Sequence, residues 1–160
     1  ELVMNSPKPV HRVLFVCHGN ICRSTMAQSV MAHLAREAGA QDLLLVDSAA
    51  TSGEEVGNPV HPGTVAALCR HGIDVVTHRA RRMSRAEYAD WDRIVYMDAE
   101  NRRGLMRILG ADPQGRLSRL LDWSGACRDV ADPWYTGDFE ATFSDVMEGC
   151  QALLDDLLGW

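Results

Sequence analysis

The sequence predicts a single α/β domain: a four-stranded parallel sheet with helices on both faces and a phosphate-binding loop after the first strand. Two observations predict this fold. Short apolar runs of strand-forming residues alternate with segments whose apolar residues recur at helical spacing. The loop after the first run contains cysteine, glycine, asparagine and arginine and opens directly into a helix. A chain of 160 residues, 46% hydrophobic and 24% charged, has the size and composition of one globular domain.

The strands are predicted over short runs rich in valine, leucine and isoleucine, which are typical of a parallel sheet buried on both faces. These runs are residues 13–16, 43–46, 94–97 and 117–121. In such a sheet, ligands bind where the carboxyl ends of the strands meet the loops. Cys17 lies at one of those ends, so the first loop is the candidate binding site.

The helices are predicted from apolar periodicity and from residues typical of helix ends. The first follows the loop, the second begins at Pro62 and ends before Gly72, Asp98 caps the third, and the last follows Gly137. Residues 1–10 lack the apolar run of a signal peptide and are predicted to form a disordered leader. Residues 11–160 then form the folded domain.

The overall charge argues against one class of partner. The chain carries 16 Lys and Arg against 22 Asp and Glu, a net charge of −6 at pH 7. Binding to nucleic acid regardless of sequence needs a positive surface, so this class is not expected. A local exception is the basic cluster at residues 78–82, His-Arg-Ala-Arg-Arg. It is either a solvated surface stretch or a contact for acidic substrates.

The cysteines indicate a reducing compartment. Their number is odd, they are irregularly spaced, and no Cys-x2-Cys pair occurs that would indicate zinc or thioredoxin-like chemistry; they are Cys17, Cys22, Cys69, Cys127 and Cys150. A disulfide-stapled secreted fold is therefore not expected. No run approaches the roughly 20 consecutive apolar residues of a spanning helix. We expect a cytoplasmic protein with one reactive thiol.

The segment from Cys17 to Ser24 has the pattern Cys-x5-Arg followed by a hydroxyl. The spacing alone is unspecific, but its position between an apolar strand and a helix makes it informative. Gly19 and Asn20 tolerate the positive φ that a backbone wrapped around a phosphate needs. Curled backbone amides and the helix N-terminus bind an anion and favour the thiolate of Cys17. Arg23 offers a planar fork for two phosphoryl oxygens.

Each loop residue also has a simpler interpretation. Cys17 fits a small core residue at a strand end, and Arg23 fits a surface charge, although a cation in a first helical turn opposes the helix dipole. Ser24 fits a helix cap and also a donor to the thiolate. Cys22 is interpreted as a packing residue, and its closeness to Cys17 in sequence also permits a reversible disulfide.

Expelling an alkoxide or phenoxide from a phosphate ester requires a proton donor. Asp132, which is followed by Pro133, Trp134 and Tyr135, is the best candidate. Pro133 stiffens the loop and favours extended geometry at Asp132, and the two aromatic residues are expected to give the carboxyl an apolar setting. The alternative is a simple Asp-Pro turn.

Four segments in this order closely resemble motifs of the low-molecular-weight protein tyrosine phosphatases: residues 16–24 (VCHGNICRS), 47–50 (DSAA), 78–81 (HRAR) and 132–135 (DPWY). The resemblance covers nearly the whole chain from about residue 11, and the four motifs together are highly specific. It implies that residues 11–160 are a phosphatase domain that hydrolyses phosphotyrosine through a phosphocysteine intermediate, without a metal or other cofactor.

The resemblance also implies individual roles. Cys17 is the nucleophile, Arg23 binds the phosphoryl group and Asp132 is the general acid. Further substrate-binding residues are implied in the loop and beside the acid, namely His18, Gly19, Asn20, Ile21, Cys22, Ser24, Trp134 and Tyr135. Ser48 and His78 are implied to support the loop through hydrogen bonds with Asn20 and Ser24.

Two residues depart from the family pattern. Glu54 stands where a tryptophan or tyrosine is usual, so one side of the cleft is expected to be open there and to attract basic residues flanking the phosphotyrosine. Trp134 replaces the first tyrosine of the usual Asp-Pro-Tyr-Tyr, which keeps an aromatic wall.

Three alternative functions are each opposed by one feature of the sequence. Arsenate reductases share the loop but need two closely spaced shuttle cysteines in mid-chain, where only Cys69 lies. Protein-arginine phosphatases typically carry threonine at the position of Ile21. A phosphoprotein-binding module without turnover would lack the nucleophile or the acid, and both are present. The expected partner is a tyrosine-phosphorylated protein, with no nucleic acid and no membrane, and the chain is expected to be a monomer.

Overall fold

A computed structural model describes residues 11–159, so the predicted leader at residues 1–10 lies outside the described residues. Four parallel strands form one sheet in the order β2-β1-β3-β4, with β1 at His11–Cys17, β2 at Leu44–Ala50, β3 at Arg93–Tyr96 and β4 at Leu117–Arg119. The predicted four-stranded parallel α/β fold is confirmed.

Residues 11–159 contain five α-helices: α1 at Arg23–Glu37, α2 at Pro62–Arg70, α3 at Ala99–Leu109, α4 at Pro133–Thr136 and α5 at Phe139–Leu158. The helices α1, α2 and α5 pack together on one face, and α3 lies on the other. Their ends follow the sequence pattern: Pro62 starts α2, and the Asp98 side chain caps α3 by accepting from the Asn101 amide. Among residues 11–159, no helix is long and apolar enough to cross a membrane.

The central strand β1 is buried on both faces, which explains its continuous apolar sequence. Val13 and Phe15 point into the core formed with α1 and α5, whereas Leu14 and Val16 join the core on the side of α3. All four side chains are inaccessible to solvent. This double burial fixes the end of β1, and therefore the position of Cys17, relative to both layers of helices.

The fourth strand is shorter than the sequence predicts. We expected a strand over residues 117–121, but β4 ends at Arg119 and Leu120–Ser124 form a 3₁₀ turn. Leu120 and Leu121 are both fully buried in the same core. Consecutive residues of a strand point to opposite faces, so a strand could not direct both side chains into one core, and the chain turns instead.

The fold brings the ends of β1 and β2 together, because Cys17 pairs with Ala50 in the parallel register. The pairing continues into the loops, where the Thr51 amide donates to the Cys17 carbonyl at 3.0 Å and the Ser52 amide to the His18 carbonyl at 3.1 Å. The loop after β2 therefore lies directly beside the loop after β1, at the carboxyl edge of the sheet.

One close helix contact generates a stability prediction. A Cβ on Gly149 of α5 would lie 2.4 Å from Cγ of Leu120, which is fully buried. We expect Gly149→Ala to destabilise the protein by about 1–2 kcal/mol, since overpacking outweighs the gain in helix propensity. Urea unfolding measures the change. The control is Gly53→Ala, where nothing lies within 4 Å of the new Cβ. An unfolding free energy for Gly149→Ala at or above that of wild type would contradict the prediction.

Candidate active site

The loop from Cys17 to Arg23 joins β1 to α1. Gly19 and Asn20 in this loop are required for different reasons. Asn20 has a φ of 61°, in the left-handed region that we expected within this loop. Gly19 is not among the positive-φ residues. Glycine is needed at this position because the backbone passes close to Glu55: an added Cβ would lie 3.1 Å from Cγ of Glu55.

Asn20 is fully buried and its side chain joins three segments of the chain. Its Nδ2 donates to Ser24 Oγ at 2.8 Å and to Ser48 Oγ at 2.9 Å. Its Oδ1 accepts from His78 Nε2 at 2.7 Å and from the Arg81 amide at 3.1 Å. The structure thus brings together Asn20, Ser24, Ser48 and His78, the four residues that the family resemblance grouped.

The same hydrogen bonds orient a donor towards Cys17. The Ser24 hydroxyl accepts from Asn20, which leaves its own proton free, and its Oγ lies 3.1 Å from Cys17 Sγ. The Ser24 hydroxyl is thus placed to hydrogen-bond the sulfur of Cys17. Ser24 therefore acts from beneath the loop and does not line the cavity above it.

His78 is held in its neutral form. Burial lowers the pKa of His78 below its ordinary value; the charge of Asp47 opposes this shift and that of Arg81 adds to it. Because Asn20 Oδ1 can only accept, the His78 proton resides on Nε2. The neutral ring gives Asn20 a donor without placing a full positive charge beneath the loop.

Arg23 is the most deeply buried charged residue in the site, with 2% of its surface exposed. Its Nη1 donates to Asp98 Oδ2 at 2.6 Å and to the Val130 carbonyl at 2.9 Å. Burial alone would lower the pKa of Arg23, but the charges of Cys17 and Asp98 outweigh it, and the pKa lies above its ordinary value. The guanidinium is therefore charged and fixed in orientation before any ligand arrives.

Asp98 has a function that the sequence did not reveal. We predicted only that it caps α3, which it does through Oδ1 at 2.8 Å from the Asn101 amide. Its second oxygen, Oδ2, accepts from Arg23. One carboxylate thus ties the arginine of the loop to the first turn of α3.

Asp132 lies beside Arg23, although the two residues are far apart in sequence. Its Oδ1 caps the short helix α4 by accepting from the Trp134 amide at 3.0 Å, and its Oδ2 lies 3.4 Å from Arg23 Nη2. The expected apolar setting is not observed. Trp134 and Tyr135 are 60% and 84% exposed, and the carboxylate contacts an amide and a guanidinium.

A cavity of about 130 Å³ opens above Cys17. It is lined by most of the residues that we expected to bind substrate and by one that we did not, Glu55: Cys17, His18, Gly19, Ile21, Cys22, Arg23, Glu54, Glu55, Asp132, Trp134 and Tyr135. Asn20 and Ser24 lie beneath the loop, outside this lining. Because Trp134 and Tyr135 are so exposed, they form a rim at the mouth of the cavity and not an enclosed wall.

Another part of the cavity lining is acidic. Glu54 pairs with His18 Nε2 at 3.3 Å, and Glu55 packs against Gly19. On the aromatic side, His61 caps α2 and contacts the Trp134 ring edge-on at 5.9 Å between centroids. Neither Glu55 nor His61 was singled out from the sequence, because neither lies in a motif with its own chemical signature.

The second cysteine of the loop, Cys22, is buried. Burial and the neighbouring Cys17 raise the pKa of Cys22 to about 12, so its thiol stays protonated. Its side chain packs with Ile21 and Ala80 in a small apolar cluster. These apolar surroundings agree with the interpretation of Cys22 as a packing residue.

The site therefore combines a thiol that accepts a hydrogen bond, a fixed guanidinium and a carboxyl group around one small cavity. Chemically, a thiol can supply a nucleophile, a guanidinium and a helix N-terminus can stabilise a phosphoryl group, and a carboxyl group can supply a proton. These parts define a cysteine-dependent phosphoric monoester hydrolase.

Comparisons with known proteins identify the class more narrowly. Residues 12–158 match the family described as low molecular weight phosphotyrosine protein phosphatase. The Bacillus subtilis low molecular weight protein-tyrosine-phosphatase YfkJ is 42% identical over 144 residues, covering 89% of this chain and 92% of that protein. The Homo sapiens low molecular weight phosphotyrosine protein phosphatase is 36% identical over 159 residues, covering 89% and 93%.

Solved structures agree with these matches. The crystal structure of YfkJ from Bacillus subtilis has a TM-score of 0.90 at 39% identity and covers 94% of this chain and 96% of that one. A structure titled DARP, drosophila arginine phosphatase, has a TM-score of 0.82 at 28% identity, with 91% and 96% covered. The chain belongs to the low-molecular-weight phosphotyrosine protein phosphatase family, as its motifs predicted, and is a protein tyrosine phosphatase.

The dual contact of Asp98 generates a prediction. Asp98→Asn keeps a good helix cap but removes the charge that holds Arg23. We expect kcat/KM for an aryl phosphate to fall about tenfold or more, since a hydrogen bond to a charged group is worth about 1.5–3 kcal/mol. The control is Asp138→Asn, which changes the cap of α5 in the same way without touching Arg23. Equal activity of the two variants would show that the Asp98–Arg23 pair has no catalytic effect.

Proposed function

We propose that the chain hydrolyses phosphotyrosine in proteins in two steps on Cys17. In the first step, the Cys17 thiolate attacks phosphorus, an S–P bond forms, the P–O bond to the aryl group breaks, and Asp132 gives its proton to the leaving oxygen. In the second step, water attacks the phosphocysteine, the Asp132 carboxylate takes the proton from that water, and inorganic phosphate leaves with the Cys17 thiolate regenerated.

The observation that carries this proposal is the arrangement around Cys17 Sγ. A donor, Ser24 Oγ, lies 3.1 Å away beneath the loop, while Arg23 and Asp132 line the same cavity above it. The reacting phosphorus then has the thiolate on one side and the proton donor on the other. This placement supports in-line displacement at the mouth of the loop.

Arg23 is proposed to bind the equatorial phosphoryl oxygens together with the amides of the loop from His18 to Arg23. Its planar fork suits two oxygens at once. Because Asp98 and the Val130 carbonyl already fix Nη1, binding the phosphoryl group does not require ordering a flexible side chain. Such a preorganised donor is worth more than one that must be reoriented during the reaction.

The depth of the site supports phosphotyrosine as the substrate. Cys17 is 3% exposed, at the bottom of the cavity, and the aromatic rim of Trp134 and Tyr135 stands at its mouth. A phosphotyrosine reaches the loop while its ring lies against this rim, whereas phosphoserine and phosphothreonine are too short to do both. Ring stacking alone adds about 0.5–1.5 kcal/mol, so reach supplies most of the selectivity.

Protein-arginine phosphatase is the alternative that shares this fold. The residue that bears on it is Ile21, an apolar side chain in the cavity lining. An apolar contact suits the aryl ring of phosphotyrosine better than the charged guanidino group of phosphoarginine. Relative kcat/KM values for the two phosphoamino acids decide between these functions.

The acidic rim is proposed to select among phosphotyrosine peptides. Glu54 is 70% exposed in its side chain and lies in the cavity lining with Glu55. Carboxylates at the mouth attract lysine or arginine next to the phosphotyrosine. His18, which pairs with Glu54, is the residue that a basic flank of the substrate would replace.

The remaining partners and the compartment follow from composition. All five cysteines are free thiols, which supports a reducing compartment such as the cytoplasm. The net charge of −6 supports a protein substrate and not a nucleic acid. We propose that the protein is a monomer that acts away from membranes. We propose that it needs no metal or other cofactor, because Cys17, Arg23 and Asp132 supply every group that the reaction uses.

The nucleophile is tested by Cys17→Ser. We expect turnover of para-nitrophenyl phosphate to fall below a few per cent of wild type, since a serine hydroxyl here has no base to activate it. Binding of inorganic phosphate, measured by calorimetry, should persist because Arg23 and the loop amides remain. The matched control is Cys69→Ser, an exposed cysteine outside the cavity, which should keep wild-type activity. Turnover by the Cys17→Ser variant above that level would show that Cys17 is not the nucleophile.

The general acid is tested by Asp132→Asn. We expect kcat to fall by about 10²–10⁴ for phenols of high pKa and far less for phenols of low pKa, which leave without a proton. Single-turnover rates across a series of aryl phosphates measure this slope. The control is Asp129→Asn in the same loop, where the carboxylate pairs with Arg119 at 3.1 Å. A loss that is uniform across the series means that Asp132 only supports the structure.

A further inference from the structure

A second groove lies next to the catalytic cavity and is not used by the mechanism. It measures about 440 Å³, compared with about 130 Å³ for the cavity above Cys17. Its lining comes from the loop after β2, from the last residue of the basic cluster, and from α3. The lining residues are Thr51, Ser52, Gly53, Glu54, Arg82, Gly104, Arg107 and Ile108. Glu54 lines both spaces, so the groove and the catalytic cavity adjoin at this residue.

The groove is positively charged. Arg82 and Arg107 are both exposed, and neither is paired with a carboxylate within residues 11–159. Neighbouring arginines are engaged elsewhere: Arg81 pairs with Asp47 and Glu87, and Arg103 pairs with Glu100. Of the basic cluster at residues 78–82, only Arg82 presents its charge to this groove.

The floor of the groove is connected to the catalytic loop through Thr51. The Thr51 carbonyl accepts from Arg82 Nε at 3.3 Å, and its amide donates to the Cys17 carbonyl. The Thr51 side chain packs on α3 at Gly104, where an added Cβ would lie 2.8 Å away. The groove is therefore built on backbone that is fixed relative to Cys17, with Arg82 held in place by that backbone.

We propose that this groove binds an anionic side chain of the phosphoprotein substrate while the phosphotyrosine occupies the catalytic cavity. The proposal rests on the function proposed above and adds a determinant of its substrate class. The anion is a carboxylate or a second phosphoryl group, because either one forms charge-assisted hydrogen bonds with a guanidinium group. The carboxylate of Glu54, at the border, repels an anion next to the phosphotyrosine, so the anionic residue lies further along the peptide.

The charge of the groove and its position beside the catalytic cavity both favour an anionic side chain of the substrate. Arg82 and Arg107 attract an anion, and the groove adjoins a cavity whose proposed ligand is a side chain of a protein. A peptide that enters the catalytic cavity therefore passes the groove on its way out. The preferred substrate carries a basic residue near the phosphotyrosine, facing Glu54 and Glu55, and an acidic or phosphorylated residue beyond it.

The test compares matched phosphotyrosine peptides with wild type at low ionic strength. One set carries Asp, Glu or phosphoserine several residues from the phosphotyrosine, on either side, and the reference carries Asn, Gln or serine there. We expect wild type to have a higher kcat/KM for the anionic peptides. The ratio of anionic to neutral kcat/KM should fall about two- to fivefold in Arg107→Gln and about tenfold in Arg82→Gln/Arg107→Gln, since each exposed charge pair contributes modestly. It should also fall in high salt.

The matched control is Arg103→Gln, which removes an arginine of α3 that pairs with Glu100 and lies outside the groove. Its ratio should equal that of wild type. Arg107→Gln leaves the bond from Arg82 to Thr51 in place, so it tests the groove even if the double variant unfolds. Calorimetric binding of the same peptides to Cys17→Ser gives the ratio without turnover, which separates a failure of the groove from a failure of the proposed catalytic roles.

Three results would overturn the proposal. The first is a wild-type ratio at or below one in both kinetics and binding. The second is an unchanged ratio in Arg107→Gln. The third is an equal fall in Arg103→Gln, which would assign the preference to the general charge of α3.

Discussion

The buried side chain of Asn20 is the contact on which the geometry of the site depends. It holds a left-handed turn inside the loop and bonds to Ser24, Ser48 and His78, which belong to α1, β2 and the segment before β3. An amide suits this position because it donates and accepts at the same time and carries no charge. Buried polar groups without partners are costly, so these bonds leave the loop one favourable shape.

The burial of Arg23 also depends on hydrogen-bond partners for its polar groups. Burying a guanidinium is unfavourable unless its charge and its N–H groups find partners. Asp98, the Val130 carbonyl and Asp132 supply them from two different loops. These partners compensate for the burial of the cation and hold its guanidinium in one orientation. A lysine, with one compact charge, could not reach all of these partners.

The sequence predicted the parts of the site that lie in short motifs, and it failed where the partner is distant. The loop from Cys17 to Ser24 has a strand before it and a helix after it, so its chemistry is visible locally. The contact of Asp98 with Arg23 crosses 75 positions, and no local pattern distinguishes it from an ordinary helix cap. The shortened β4 was missed for a related reason: two adjacent leucines fit a strand in sequence, but only tertiary packing shows that both face one core.

The contacts of the catalytic loop also determine when during folding this loop is arranged. Asn20 meets Ser48 across 28 positions and His78 across 58, and Arg23 meets Asp132 across 109. Contacts between distant positions form late, because the entropy of closing long loops is lost before they contribute. A chain in which these contacts have not formed therefore lacks the arranged loop around Cys17. The hydrogen bonds that shape this loop are complete only when β2, the segment at His78 and the loop at Asp132 have joined β1 and α1.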